Sequence, residues 1–229
     1  MTTFLPRISS PQTRALSTRQ SATWETYLAY RDSPDAERMR LFFNEGLLLL
    51  EMGSEGINHA QASDLFVLIL GLWFINYSDQ SAESLGRCLL EKTGQKASSP
   101  DLVVYVGEGT PQWQVGEPRR IDLARWRVPD LVGEISDTTL ATDLDEKKHL
   151  YATLGIPEYW VIDVLGKRVW VFQLDETGCY QPIAASGILA GLPGELLERT
   201  LNRLACDTNI QAASWFVGAV AQWQKSLTE

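Results

Sequence analysis

Residues 129–163 read PDLVGEISDTTLATDLDEKKHLYATLGIPEYWVID, and this stretch holds a strand, a helix and a second strand in succession. Pro129-Asp130 opens an apolar run, Leu131 to Ser136, of strand length and composition. Asp137-Thr138-Thr139 is a polar break. A helix is then expected over about 143–154, stopped by Gly155 and Pro157. Glu158 to Asp163 is the next strand, and the turn at Gly166-Lys167 returns the chain as Val169 to Leu174. Side chains alternate along a strand, so Asp130, Val132 and Glu134 share one face while Leu131, Gly133 and Ile135 share the other. An acid on so apolar a strand is unusual, because a buried carboxylate is costly unless it is paired or bound to metal. The bland alternative is an edge strand that turns Glu134 to solvent. On the helix, Leu144, Tyr151 and Leu154 form an apolar stripe by their spacing of three and four, and Lys147 falls on it. A lysine there either snorkels outward or reaches a polar site at the sheet edge. Lys148, one position round, lies nearer solvent.

Upstream, Pro100-Asp101 opens Leu102 to Val106 as Pro129-Asp130 opens the later strand, although either dipeptide alone is also a common turn signal. MRLFF, Asn44-Glu45-Gly46 and LLLLEM read as a hairpin around a tight glycine turn. Residues 60–76 are apolar enough for a helix buried on most sides, with Asn58 or His59 near its start. A further strand is expected over 86–91 and a loop at 94–96, and residues 107–128 hold a loop or an extra strand. Trp24, Tyr27 and Leu28 mark a short helix before Ser33-Pro34. Downstream, residues 189–224 look helical, with a stripe of Trp215, Phe216, Val220 and Trp223 beside Ala212 and Ala219 that belongs to a core or a dimer seam. The fold class is therefore α/β, a mixed central sheet flanked by helices with a helical C-terminal extension. The expected division is a disordered arm over 1–23, a core over 24–193 and the extension over 194–229.

Composition narrows the function classes. Residues 1–23 hold Arg7, Arg14 and Arg19, no acid, and many Ser and Thr, which cannot bury an apolar face. The ten-residue run from Leu65 to Phe74 is too short to span a bilayer, so no membrane segment is expected. Three scattered cysteines, Cys88, Cys179 and Cys206, imply neither a disulfide framework nor a cysteine zinc site and fit a reducing, cytoplasmic setting. The formal net charge of -9 argues against nonspecific coating of nucleic acid, whose affinity comes from Lys and Arg. Locally, Arg119, Arg120, Arg125 and Arg127 flank only Asp122, so this segment is either a solvated loop or an edge that contacts phosphate.

Phosphodiester hydrolysis needs a divalent ion on hard oxygen ligands, a water that it activates and a cation to offset charge on phosphate. Asp130 and Glu134 are separated along one strand by about 13 Å and cannot bind one ion together. Asp101 begins a different apolar strand, and if the two strands are neighbours at ~5 Å its carboxylate can face the same side. Asp101 and Glu134 are accordingly the candidate metal pair and Lys147 the candidate cation. The joined string PDLVGEIS, DLDEK, a tyrosine four residues after Lys147, and GIPEYWVID resembles the core of the Uma-type restriction endonucleases, a bacterial family of the PD-(D/E)XK nuclease superfamily. The hairpin with a central glycine, His59 before the long apolar helix, and the Pro-Asp strand at Asp101 are similar too; the likeness spans roughly residues 24–193. It implies a restriction-endonuclease-like fold, a site for Mg²⁺ or Mn²⁺ at Asp101 and Glu134, and Lys147 as a catalytic lysine carried by the helix. The superfamily's usual lysine position, two residues after the second acid, is Ser136 here. DNA is the implied substrate, and cleavage of both strands together with the tail stripe suggests a homodimer. His59 is either an accessory to catalysis or structural. The rival expectation is a catalytically silent relative that acts as a binding module, which the acidic charge favours.

Overall fold

The computed structural model describes residues 17–52 and 56–228. Strand β1 (Ser17–Ser21) leads into helix α1 (Trp24–Arg31), which Thr23 caps by accepting from the Thr26 N–H. Strands β2 (Met39–Asn44) and β3 (Leu47–Met52) form the expected hairpin, and its two turn residues, Glu45 at φ 49 and Gly46 at φ 78, have the positive φ pair of a type I′ turn. Helix α2 (Ile57–Tyr77) follows, then β4 (Ala82–Ser84), β5 (Leu90–Lys92), β6 (Lys96–Ser98), β7 (Leu102–Val106), β8 (Ile121–Asp122) and β9 (Leu131–Ser136). The helix after β9 has three parts: α3 (Leu140–Thr142), a π-helical turn Asp143–Lys147, and α4 (Lys148–Leu154), which ends on Gly155 in the left-handed conformation. Strands β10 (Glu158–Asp163), β11 (Arg168–Leu174), β12 (Tyr180–Pro182), β13 (Ala185–Ser186) and β14 (Leu192–Pro193) precede helices α5 (Gly194–Arg203) and α6 (Asn209–Ser226).

The strands form two six-stranded sheets where the sequence suggested one, and a separate small pair, β13-β14. The first sheet runs β1-β3-β2-β6-β5-β8 and the second β12-β11-β10-β9-β7-β4. Both are mixed: β9 and β10 are parallel, as are β5 and β8, while the other pairs are antiparallel. Strand alternation sorts the core into layers. Leu102, Val104, Leu131, Ile135, Trp160 and Ile162 point from the second sheet to α2, α5 and α6. Val103, Tyr105, Val132, Tyr159 and Val161 point the other way and meet Phe42 and Leu49 of the first sheet together with Leu150, Tyr151 and Leu154 of α4. Leu41, Phe43, Leu48 and Leu50 fill the far side of the first sheet against Tyr27 of α1.

Two expectations change, and for two more the packing selects among the readings the sequence left. Ser17–Ser21 pairs with β3, so the stretch read as a disordered arm to Thr23 contributes an edge strand, whose Arg19 meets Glu146 at 2.6 Å; residues 1–16 lie outside the described residues. The strand expected over 86–91 is a turn at Gly86-Arg87 followed by the short β5. A Cβ on Gly86 would stand 2.5 Å from the Asp101 carbonyl oxygen, so the chain passes too close to the Asp101 backbone for a side chain there. Helix α2 is long and apolar enough by length and composition to cross a membrane, but Ala62, Leu65, Phe66, Ile69, Leu70 and Trp73 are buried in the core. The tail stripe is covered within the chain: Phe216 and Val220 are buried against the α2 cluster, and Trp223 packs 6.5 Å from Trp73 ring to ring.

Candidate metal and catalytic centre

In the layer between the two sheets, charged residues of β2, β3, β9 and the start of β7 meet. Strands β7 and β9 pair antiparallel with Leu102 opposite Gly133, so Asp101, one residue earlier, stands opposite Glu134. Both belong to the alternating face that carries Val103 and Val132, which is turned to the first sheet. From that sheet, Arg40 and Glu51 stand opposite one another on the β2–β3 hairpin, on the same face as Phe42 and Leu49. Two cross-strand pairs therefore face each other. The helix closes the arrangement, because Asp143, Lys147 and Tyr151 follow one another at spacing four and turn the same stripe inward.

The distances define one cluster. Arg40 Nη1 lies 3.0 Å from Asp101 Oδ1 and 3.3 Å from Glu51 Oε2, and Nη2 lies 2.9 Å from Glu134 Oε2. Nε and Nη2 also donate to the Ser99 carbonyl at 3.0 and 2.6 Å, which fixes the plane of the guanidinium. Lys147 Nζ meets Glu51 at 2.6 Å, Asp143 at 2.9 Å and Glu134 at 3.2 Å, and sits 4.1 Å over the Phe42 ring. Glu134 Oε1 accepts from the Tyr151 hydroxyl. Asp101 Oδ2 accepts from the Ile135 N–H at 2.8 Å and lies 3.4 Å from His59 Nε2. Asp143 accepts from Ser136 and Thr139, and Tyr159 donates to its carbonyl at 2.8 Å, which secures the π-helical turn. A π turn shifts the side chains after it relative to a straight helix.

Burial sets the electrostatics. Lys147 is 0% exposed and Asp101 and Glu134 are buried. Burial, with Asp101 and Asp143 nearby, pushes the Glu134 carboxyl up to about 8 against the attraction of Lys147 and Arg40. Burial opposes the charge of Asp101 also, but Arg40, His59 and the Ile135 N–H outweigh it and hold that carboxyl well below the usual range. The three carboxylates around Lys147 outweigh its burial and raise its pKa, so it stays protonated and serves as a fixed cation.

The three residues singled out in the sequence are thus brought together, with His59 at their edge. Asp130 is elsewhere: it holds the Val106 N–H at 2.6 Å and Arg127 at 2.8 Å. Lys148 points away, 3.9 Å over Phe172. Arg40, Glu51 and Asp143 complete the cluster and were not singled out. A charged residue at the inward position of an otherwise apolar hairpin was the available signal for the first two, and spacing four from Lys147 was the signal for the third. The basic stretch is largely neutralised, with Arg120 on Glu91 at 2.9 Å, Arg127 on Asp130, and Arg125 on Glu117.

A divalent ion suits the donor chemistry. Asp101 and Glu134 offer hard oxygens that converge on a single cationic group, and Asp101 Oδ1 is buried with a charge beside it but no hydrogen bond. Among the described residues no three or more His, Cys, Asp or Glu side chains are arranged as a ready cage, so the remaining ligands of such an ion would be water, backbone or phosphate, as Mg²⁺ commonly takes.

Among solved structures, the chain is similar to one described as a "putative nuclease" from Anabaena variabilis ATCC 29413, with a TM-score of 0.58 and 17% identity over 78% of this chain and 98% of that one. At that identity the likeness speaks for the fold. No curated protein matches. The family model described as "Putative restriction endonuclease" matches residues 24–206, most of the chain and all of the cluster. The chain belongs to that family, Uma2.

Proposed function

We propose that this protein is a metal-dependent endonuclease that hydrolyses phosphodiester bonds in DNA. The observation that carries the reading is the convergence of Asp101 and Glu134, opposite one another on β7 and β9, on one cation position with Lys147 Nζ 3.2 Å from Glu134. Asp101 and Glu134 would hold Mg²⁺ or Mn²⁺, which supplies a Lewis acid and a bound water of lowered pKa. Lys147, held protonated, offsets negative charge that builds on the phosphate. Asp143 and Glu51 orient that lysine, and Tyr151 orients Glu134. His59 steadies Asp101 from α2. A cleft of about 560 Å³ lined by Arg31, Arg87, Arg119 and Arg120, with Asp32 and Glu37 also in its lining, reaches Ser99, two residues from Asp101; a phosphate backbone there would meet arginines of which Arg31 and Arg120 already hold Glu91.

A second reading, a catalytically silent relative that binds a partner, is favoured by the closed state of the cluster, whose charges are paired with one another. Cleavage of plasmid and single-stranded DNA with Mg²⁺ or Mn²⁺, run beside Glu134→Ala, separates the two. Metal-dependent cleavage that the substitution abolishes supports the nuclease, and absence of cleavage in folded wild type supports the silent relative. The covered tail stripe leaves a homodimer resting on the two-fold symmetry of duplex DNA alone, and a monomer mass by light scattering at micromolar concentration would remove it. The cysteine usage keeps the cytoplasm as the proposed location.

A further inference from the structure

We infer that Arg40 is a resident counter-cation that competes with the divalent ion for Asp101 and Glu134, so that loading the site requires the guanidinium to withdraw. The inference rests on the metal-site reading above. Arg40 touches both proposed ligands, at 3.0 and 2.9 Å, and its charge stands between two carboxylates that the β7–β9 pairing sets opposite one another. Its Asp101 contact lacks hydrogen-bond geometry, whereas its bonds to the Ser99 carbonyl are directed. The guanidinium is held by directed bonds to the Ser99 carbonyl and, from Nη2 at 2.9 Å, to Glu134, while it meets Asp101 Oδ1 through charge alone, the contact that a competing cation replaces first. Position agrees with this role. Asp101, Glu134, Asp143 and Lys147 are sealed, while the Arg40 side chain is 22% exposed and is the outermost of the group. It belongs to the other sheet, so it can move without disturbing the β7–β9 pairing that places the two acids. Lys147 makes no such contact with Asp101 and can remain on Glu51 and Asp143 when Arg40 leaves.

Calorimetric titration with Mn²⁺ and Mg²⁺ alone, without DNA, tests the inference in three proteins. Arg40→Met should bind Mn²⁺ at least about tenfold more tightly than wild type, a floor for relieving like-charge repulsion at contact distance in a protein-like dielectric. Arg40→Met combined with Glu51→Gln removes one cation and one carboxylate and so keeps the local charge balance of wild type. It too should bind more tightly, because the position is vacated. Wild-type affinity in the double variant would mean that only net charge matters, and wild-type affinity in folded Arg40→Met would overturn the inference outright. Crystals of the wild type soaked in Mn²⁺ answer whether or not the variants fold. Anomalous signal on Asp101 and Glu134 with the guanidinium displaced supports competition, and the same signal with Arg40 still bridging them overturns it. An absence of ion at the pair in both wild type and variants would instead overturn the metal-site reading itself.

Discussion

Lys147→Met, set against Lys148→Met, probes the positioned lysine through two neighbours of equal charge. Lys147 is fully buried and neutralises Glu51, Asp143 and Glu134 within 3.2 Å, so its loss leaves buried carboxylates uncompensated. Breaking a buried pair in this way costs about 3–5 kcal/mol. For a chain of this size the melting temperature falls by roughly 2–4 °C per kcal/mol, so a loss of roughly 6–20 °C is expected at pH 8. Lys148 lies 3.9 Å over Phe172 and touches none of the carboxylates, and loss of that contact is worth about 0.5–1 kcal/mol. The cost of Lys147→Met should grow as pH rises past about 8, because Glu134, deprived of its strongest attraction, keeps a proton there that wild type releases. Thermal melts by circular dichroism from pH 6 to about 9.5 give both quantities. In folded protein at low temperature, Lys147→Met should also cut turnover by about a hundredfold or more, the order for loss of a preorganised electrostatic group, with Lys148→Met nearly silent. Equal melting losses in the two variants would refute the placement of the lysine, and a Lys147→Met cost that does not grow above about pH 8 would refute its pairing with Glu134.

Two further outcomes follow from the geometry. Gly86→Ala forces a Cβ to within 2.5 Å of the Asp101 carbonyl oxygen, so it should destabilise by about 1–3 kcal/mol and weaken Mn²⁺ binding through displacement of Asp101; an unchanged melt and affinity would show that the turn yields freely. For Glu134, the folded-state pKa is raised from 4.5 to about 8, so between those values the native protein keeps a proton that the unfolded chain has released. Its contribution is fully present below 4.5 and is lost as pH rises to about 8, so metal-free wild type should lose up to about 1 kcal/mol more per pH unit than Glu134→Gln over that window. Parallel stability profiles in urea would contradict this.

Much of the site was legible because its signals are local. The alternation of Leu131–Ser136 fixes which face Glu134 shares with Val132, and spacing four along a helix puts Lys147 on the stripe of Tyr151 whatever the helix packs against. The same local rules mark the hairpin, the glycine stop at Gly155 and the apolar core of α2. Neither periodicity says which strands become neighbours or how many sheets they make. That Asp101 stands opposite Glu134 is a pairing between strands 34 residues apart from the Asp101 carboxylate to the Ile135 N–H, and the Arg40 contact with Glu134 spans 94 residues. Arg40 and Glu51 enter the cluster only because the two sheets pack face to face, which depends on the summed apolar faces of many strands. Tertiary packing likewise decided the tail stripe, whose apolar width reads the same whether a second copy covers it or, as here, α2 does. It also decided the turn at Gly86, where an apolar run suited to a strand passes against the Asp101 backbone and leaves no space for a side chain.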